Sequence, residues 1–162
     1  MPSEPLDNFI EILLAPANQI LHPGRVMGLY ENGEIFPMEK LPIFYEEINQ
    51  TSADNIEKLS NEIQLIKAEI LKRHPELCLD AVLPVDEWVC SQYEEQVGDK
   101  SSVKRVFATN KAYGTFGMPA KTVDGKLYVN FESRILTEDI PFGLCILKDI
   151  AEMMELDVPF MT

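Results

Sequence analysis

Basic residues are scarce in this chain: Lys and Arg number 14 against 27 Asp and Glu, a formal net charge of −13. Such a surface repels phosphate backbones and anionic lipid, so neither a nucleic acid nor a membrane surface is an expected partner. Apolar runs are short, and none approaches the roughly 18 residues that span a bilayer. Cysteines are few, odd in number and far apart at Cys78, Cys90 and Cys145. With no export-type leader, that usage points to a reducing, cytoplasmic setting. No cluster with metal-ligand spacing stands out, so no metal site is expected. Glycine is also thin. None of the eight glycines forms Gly-x-Gly-x-x-Gly between a strand and a helix. Gly114 and Gly117 come nearest, and no helix follows them. The chain is therefore not expected to hold a dinucleotide by itself.

What is present describes a globular domain. The 162 residues are 46% hydrophobic and 25% charged. A chain of that length buries about two-thirds of its unfolded surface and needs no staples. Helical spacing runs from about Glu4 to Leu14 and resumes in "ANQILHPGRVMGLY" on both sides of a break expected at Pro23-Gly24. Asn32-Gly33 signals a turn inside a loop over 31–42, and a short helix is plausible over Ile43–Ile48. Ile56, Leu59, Ile63, Ile66 and Ile70 then mark one long amphipathic helix, about 22 residues and roughly 33 Å. Thr51 with Asp54 resembles its capping box, and Pro75 stops it. "VDEWVCSQYEEQVG" predicts a helix with Gly98 as its C-cap, and a helix or turn covers Ser101 to about Thr109. Residues 110–131 look irregular, and 126–132 is a strand candidate with no obvious partner. A last helix follows Pro141. The expectation is one all-α domain, 1–162, with a long central helix and a structured loop.

Few residues can carry chemistry. Of two histidines, His74 sits among Lys72 and Arg73 at a helix end and suits the negative pole of the dipole. His22 follows Leu21 at the Pro-Gly break. Asn18, four residues earlier, shares its helical face, so His22 is either a buried histidine satisfied by Asn18 or a displayed active-site group. The polar cluster Glu132, Arg134, Thr137, Glu138 and Asp139 precedes Pro141. Thr137 or Asp139 could cap the helix after Pro141. Arg134 could clamp a carboxylate. Asp139 could instead accept a proton from His22 and fix its tautomer. An oriented histidine beside an arginine suits acid–base work on an α-keto acid.

"LHPGRVMGLYENG" and, much later, "SRILTEDIPFGL" resemble the opine dehydrogenases, the octopine and nopaline dehydrogenase family, in their C-terminal helical domain. "PIFYEEINQTSADNIEKL", "DEWVCSQY" and "ATNKAYGTFGMPAK" extend the resemblance over nearly the whole chain. Such enzymes reductively condense an amino acid with an α-keto acid, often pyruvate, using NAD or NADP. The resemblance implies His22 as the acid–base group, Asp139 as its partner and Arg134 at a substrate carboxylate. Trp88 would wall the amino-acid side chain, or else pack in the core. Asn18, Asn110, Lys111 and Tyr113 are weaker candidates. It also implies a Rossmann partner domain that would hold the cofactor. This chain is then expected to be the substrate half alone, shortened at both ends and inactive by itself. Two other outcomes are a freestanding non-catalytic binding or interaction module, and a 2-hydroxy-acid or ketopantoate dehydrogenase in which Lys111 would matter.

Overall fold

The computed structural model describes residues 8–30 and 33–162. The start of the first expected helix and Asn32 of the Asn32-Gly33 turn lie outside them. Helix α1 (Phe9–Leu13) opens on Asn8, whose side chain accepts from the Ile10 N–H at 3.0 Å. Helix α2 (Asn18–Met27) is unbroken, contrary to the break expected at Pro23-Gly24. Pro23 can donate nothing to the carbonyl of Gln19, a loss that disfavours the helix. The helix persists because Ile20 through Val26 are all buried, so packing on every side holds it. Its partner is α3 (Gln50–Arg73), capped by Asn49 rather than by Thr51, with the Asn49 carboxamide accepting from the Ser52 N–H at 2.9 Å. The spaced residues Ile56, Leu59, Ile63, Ile66 and Ile70 are all buried and form the floor of the core. Gly24 and Gly28 let α2 settle onto α3: a Cβ at Gly28 would run into the backbone of Ser52.

The stretch Ile43–Ile48 turns without forming a helix. The Arg25 guanidinium takes the Phe44 carbonyl, which a continuing helix would need for Ile48, and the Ile48 N–H goes to Tyr45 instead. Helix α4 (Val85–Tyr93) gives way to a tight turn over Glu94–Gln96. Gly98 is therefore not its cap; its N–H bonds to the Thr109 carbonyl beyond α5 (Val103–Ala108). The fold is not wholly α. Strands β1 (Ala120–Val123) and β2 (Lys126–Val129) pair antiparallel, Ala120 opposite Val129 and Val123 opposite Lys126. Asp124 and Gly125, at φ 50° and 75°, make the two-residue turn that closes this hairpin, so residues 120–123 supply the partner strand.

The last segment begins earlier than expected. Helix α6 (Arg134–Thr137), a π turn over Ile140–Leu144 and α7 (Cys145–Met153) follow one another. The π turn and α6 both pack on α2. Two buried carboxylates lock the periphery: Glu62 accepts from the Phe160 and Met161 N–H groups at 2.7 and 2.9 Å, and Glu11 from the Ala81 N–H at 3.1 Å. Among the described residues, no helix is long and apolar enough to cross a membrane.

Candidate active site

His22 lies in the middle of buried α2, where an unsatisfied imidazole would be costly. Asp139 meets that need. Its carboxylate stands 2.5 Å from Nδ1 of His22, across 117 residues of sequence. The pairing selects between the two uses open to Asp139, helix cap and partner of His22. It makes no cap, its backbone is helical at φ −70° and ψ −28°, and the Thr137 hydroxyl is spent on the Ser133 carbonyl. The π turn after Asp139 is what aims its side chain at α2, and single π turns inside helices often mark functional positions. With Nδ1 engaged, Nε2 is the nitrogen left to exchange a proton. Asn18, on the same face of α2, is not the group that satisfies the ring.

Aromatic rings enclose the imidazole. Phe44 meets it edge-on at 5.3 Å and 87°, and Phe116 stacks over it at 6.4 Å and 24°. Tyr45 lies 6.5 Å away and stacks in turn on Tyr113 at 4.4 Å. Burial first, then Tyr93 and Asp139, push the Tyr45 phenol well above the usual tyrosine range, so it stays protonated at neutral pH. Of these rings the sequence marked only Tyr113, and it gave Arg25, Phe44, Tyr45 and Phe116 no role.

Asp139 also lines an open cleft of about 740 Å³, together with Asn18, Gln19, Trp88, Glu138 and Phe142. His22 does not line it directly; its hydrogen-bond partner does. Trp88 is half-buried, with one side packed on the core and the other lining this cleft. Arg134 points outward, its side chain 80% exposed and held 3.1 Å from Glu138, the neighbour of Asp139 on the cleft wall. Asn110 and Lys111 are not part of this cleft. They line a separate depression of about 320 Å³ with Glu46, Thr109 and Gly114. There the Asn110 side chain accepts from the Ala112 N–H at 3.0 Å and caps its own turn.

Among the described residues there is no parallel sheet and no phosphate-binding loop at a helix start. The positive-φ glycines Gly33, Gly114 and Gly125 have nothing packed on them. Among the described residues, no group of His, Cys, Asp and Glu is placed to hold a metal.

Fold and site define a helical domain that presents a carboxylate-oriented histidine beside an open, indole-walled cleft. The alpha-helical domain of NAD/NADP octopine/nopaline dehydrogenases matches residues 5–162. The chain belongs to that family. It is 30% identical over 152 residues to the octopine dehydrogenase of Mizuhopecten yessoensis, covering 94% of this chain and 38% of that protein. It is 31% identical over 155 residues to the opine dehydrogenase of Haliotis discus hannai, covering 95% and 38%. The tauropine dehydrogenase of Arabella iricolor is 30% identical over 143 residues, covering 88% and 36%. Octopine dehydrogenase solved with NADH and L-arginine superposes at a TM-score of 0.86 with 30% identity, over 95% of this chain and 38% of that one. The complex with NADH and agmatine gives 0.86 at 28% identity, over 95% and 38%. The chain thus spans 38% of the length of the octopine and opine dehydrogenases it matches.

Proposed function

We propose that this domain serves, within an intact enzyme, the reductive condensation of an amino acid with an α-keto acid such as pyruvate. NAD(P)H, held by a separate Rossmann domain, is the hydride source in such chemistry. The observation that carries this reading is the His22–Asp139 pair, 2.5 Å apart, whose aspartate lines an open cleft. His22 exchanges a proton at the oxygen or nitrogen on carbon 2 of the substrate, through Nε2. Asp139 holds Nδ1 and thereby the tautomer.

Arg134 grips a substrate carboxylate by exchanging Glu138 for it. An exposed pair four residues apart on a helix contributes only about 0.3–0.5 kcal/mol, so the exchange is easily made. Trp88 forms the wall for the amino-acid side chain. Its indole, beside Glu138 and Asp139, suits a cationic group such as a guanidinium. Asn18 lies on the same wall. Asn110 and Lys111, in the other depression, are farther from this role, and the absence of Lys111 from the cleft weighs against hydroxy-acid chemistry run by a lysine.

The test is NADH oxidation by the intact enzyme, which should require an amino acid and a keto acid together. Oxidation with the keto acid alone would point to 2-hydroxy-acid formation. Binding without turnover would identify a non-catalytic module. In the same assay Trp88→Ala should raise KM for a cationic amino acid about tenfold, the loss of one desolvated cation–π contact, and leave KM for the keto acid unchanged. Equal shifts in both constants would remove Trp88 from the amino-acid side.

A further inference from the structure

Arg25 is fully buried, one helical turn beyond His22, and among the described residues no carboxylate hydrogen-bonds to it. Burial lowers its pKa to about 10, opposed in part by the charge of Glu47, which leaves it charged at neutral pH. A buried cation without a contacting counter-ion is costly and persists only where its donors are satisfied. Arg25 spends them on one short segment. Nε donates to the Phe44 carbonyl at 2.5 Å, Nη1 to the Ser52 hydroxyl at 3.1 Å and Nη2 to the Glu47 carbonyl at 3.2 Å. The Ser52 hydroxyl returns a bond to the Arg25 carbonyl at 2.8 Å.

The segment so held is the one that builds the cage around His22. The Phe44 ring meets the imidazole edge-on. The Phe44 N–H in turn donates to the Phe116 carbonyl at 2.9 Å, and the Phe116 ring covers the imidazole from another side. One guanidinium is therefore linked to both rings, through its own bond to the Phe44 carbonyl and the backbone bond from Phe44 to Phe116. A lysine could not do this: a single ammonium cannot span acceptors set for a planar fork.

We infer that Arg25 is a positioning residue for His22: it locks the Phe44–Phe116 cage and so holds the imidazole in line with Asp139. The inference rests on the acid–base reading of His22, but its test does not use turnover. The chain carries only two histidines, and His74 is exposed, which makes it an internal control. Long-range 1H–15N spectra of the 162-residue chain would follow the His22 ring, together with exchange of its Nδ1 proton and of the Ile63 and Ile66 amides in α3.

In Arg25→Lys the Nδ1 proton should exchange about tenfold faster, the scale carried by outer partners of a functional histidine. The ring should drift toward mixed tautomers while the Ile63 and Ile66 amides and His74 stay unchanged. A general loosening would speed the α3 amides equally and would overturn the inference, as would a folded Arg25→Lys chain with an unaltered His22. If Arg25→Lys does not fold, Ser52→Ala, which removes one guanidinium partner, must show the same selective change. Loss of fold in both variants also overturns it, because Arg25 would then hold the domain and not the cage. A turnover-competent enzyme lacking His22 would refute the acid–base role and leave this exchange result standing.

Discussion

Replacing His22 with alanine in the intact enzyme lowers kcat about 10²–10⁴-fold, the range that positioned acid–base groups contribute. The expectation follows from where the imidazole sits. Its Nδ1 is bound to Asp139, and the rings around it are Phe44, Phe116 and Tyr45, of which the two phenylalanines cannot move protons. Neither Tyr45 nor Lys111 is placed to take over: Tyr45 is held protonated by its burial, and Lys111 lines another depression. KM values should change less than kcat, because the cleft wall of Trp88 and Asn18, proposed to hold the substrate, is untouched. The variant leaves a gap between Phe44 and Phe116, so thermal melting must accompany the kinetics and rates must be taken per folded molecule. Turnover within a few fold of the parent, at full folding, would end the acid–base role.

The long helix was legible because its evidence is local. Ile56, Leu59, Ile63, Ile66 and Ile70 repeat with the helical period, and burial of all five follows from that repeat. Local signals also misled. Pro23 and Gly24 are strong breakers, yet α2 runs through them because tertiary packing buries seven consecutive residues, Ile20 through Val26. Asp124-Gly125 was a usable hairpin signal; the strand before it, Ala120–Val123, is exposed throughout and shows no apolar alternation to betray it. The turn at Glu94–Gln96 ends α4 at Tyr93, five residues before the glycine that reads as its cap.

The site divides along the same line. That His22 and Asp139 could pair was visible, but so was a helix cap at Asp139, and only the path of the chain through the π turn selects between them. Arg25 left no trace at all. Its acceptors are the Phe44 and Glu47 carbonyls and one serine hydroxyl, and backbone carbonyls look the same in every sequence. A buried arginine paired with a carboxylate can be guessed from charge pattern; one paired with main chain cannot.

Asp139→Asn is expected to lower kcat of the intact enzyme about 10²–10⁴-fold, the upper end being what a wrong-tautomer substitution costs in a Ser-His-Asp triad. The side chain keeps its shape, so packing at the π turn is preserved. What changes is the hydrogen-bond code. A carboxylate only accepts and so calls for a proton on Nδ1. A carboxamide can also donate, and an NH₂ turned toward Nδ1 would stabilise the opposite tautomer, with the proton on Nε2. Asp139→Ala removes the lock without imposing the wrong state. Asparagine should therefore be at least as damaging as alanine, the reverse of the order expected if Asp139 only fills space. In a His22→Ala background the asparagine substitution should cost almost nothing more, since groups that act as a unit fail to add. Additive losses, or an asparagine variant much more active than the alanine one, would separate Asp139 from His22 and leave the carboxylate as a wall of the cleft.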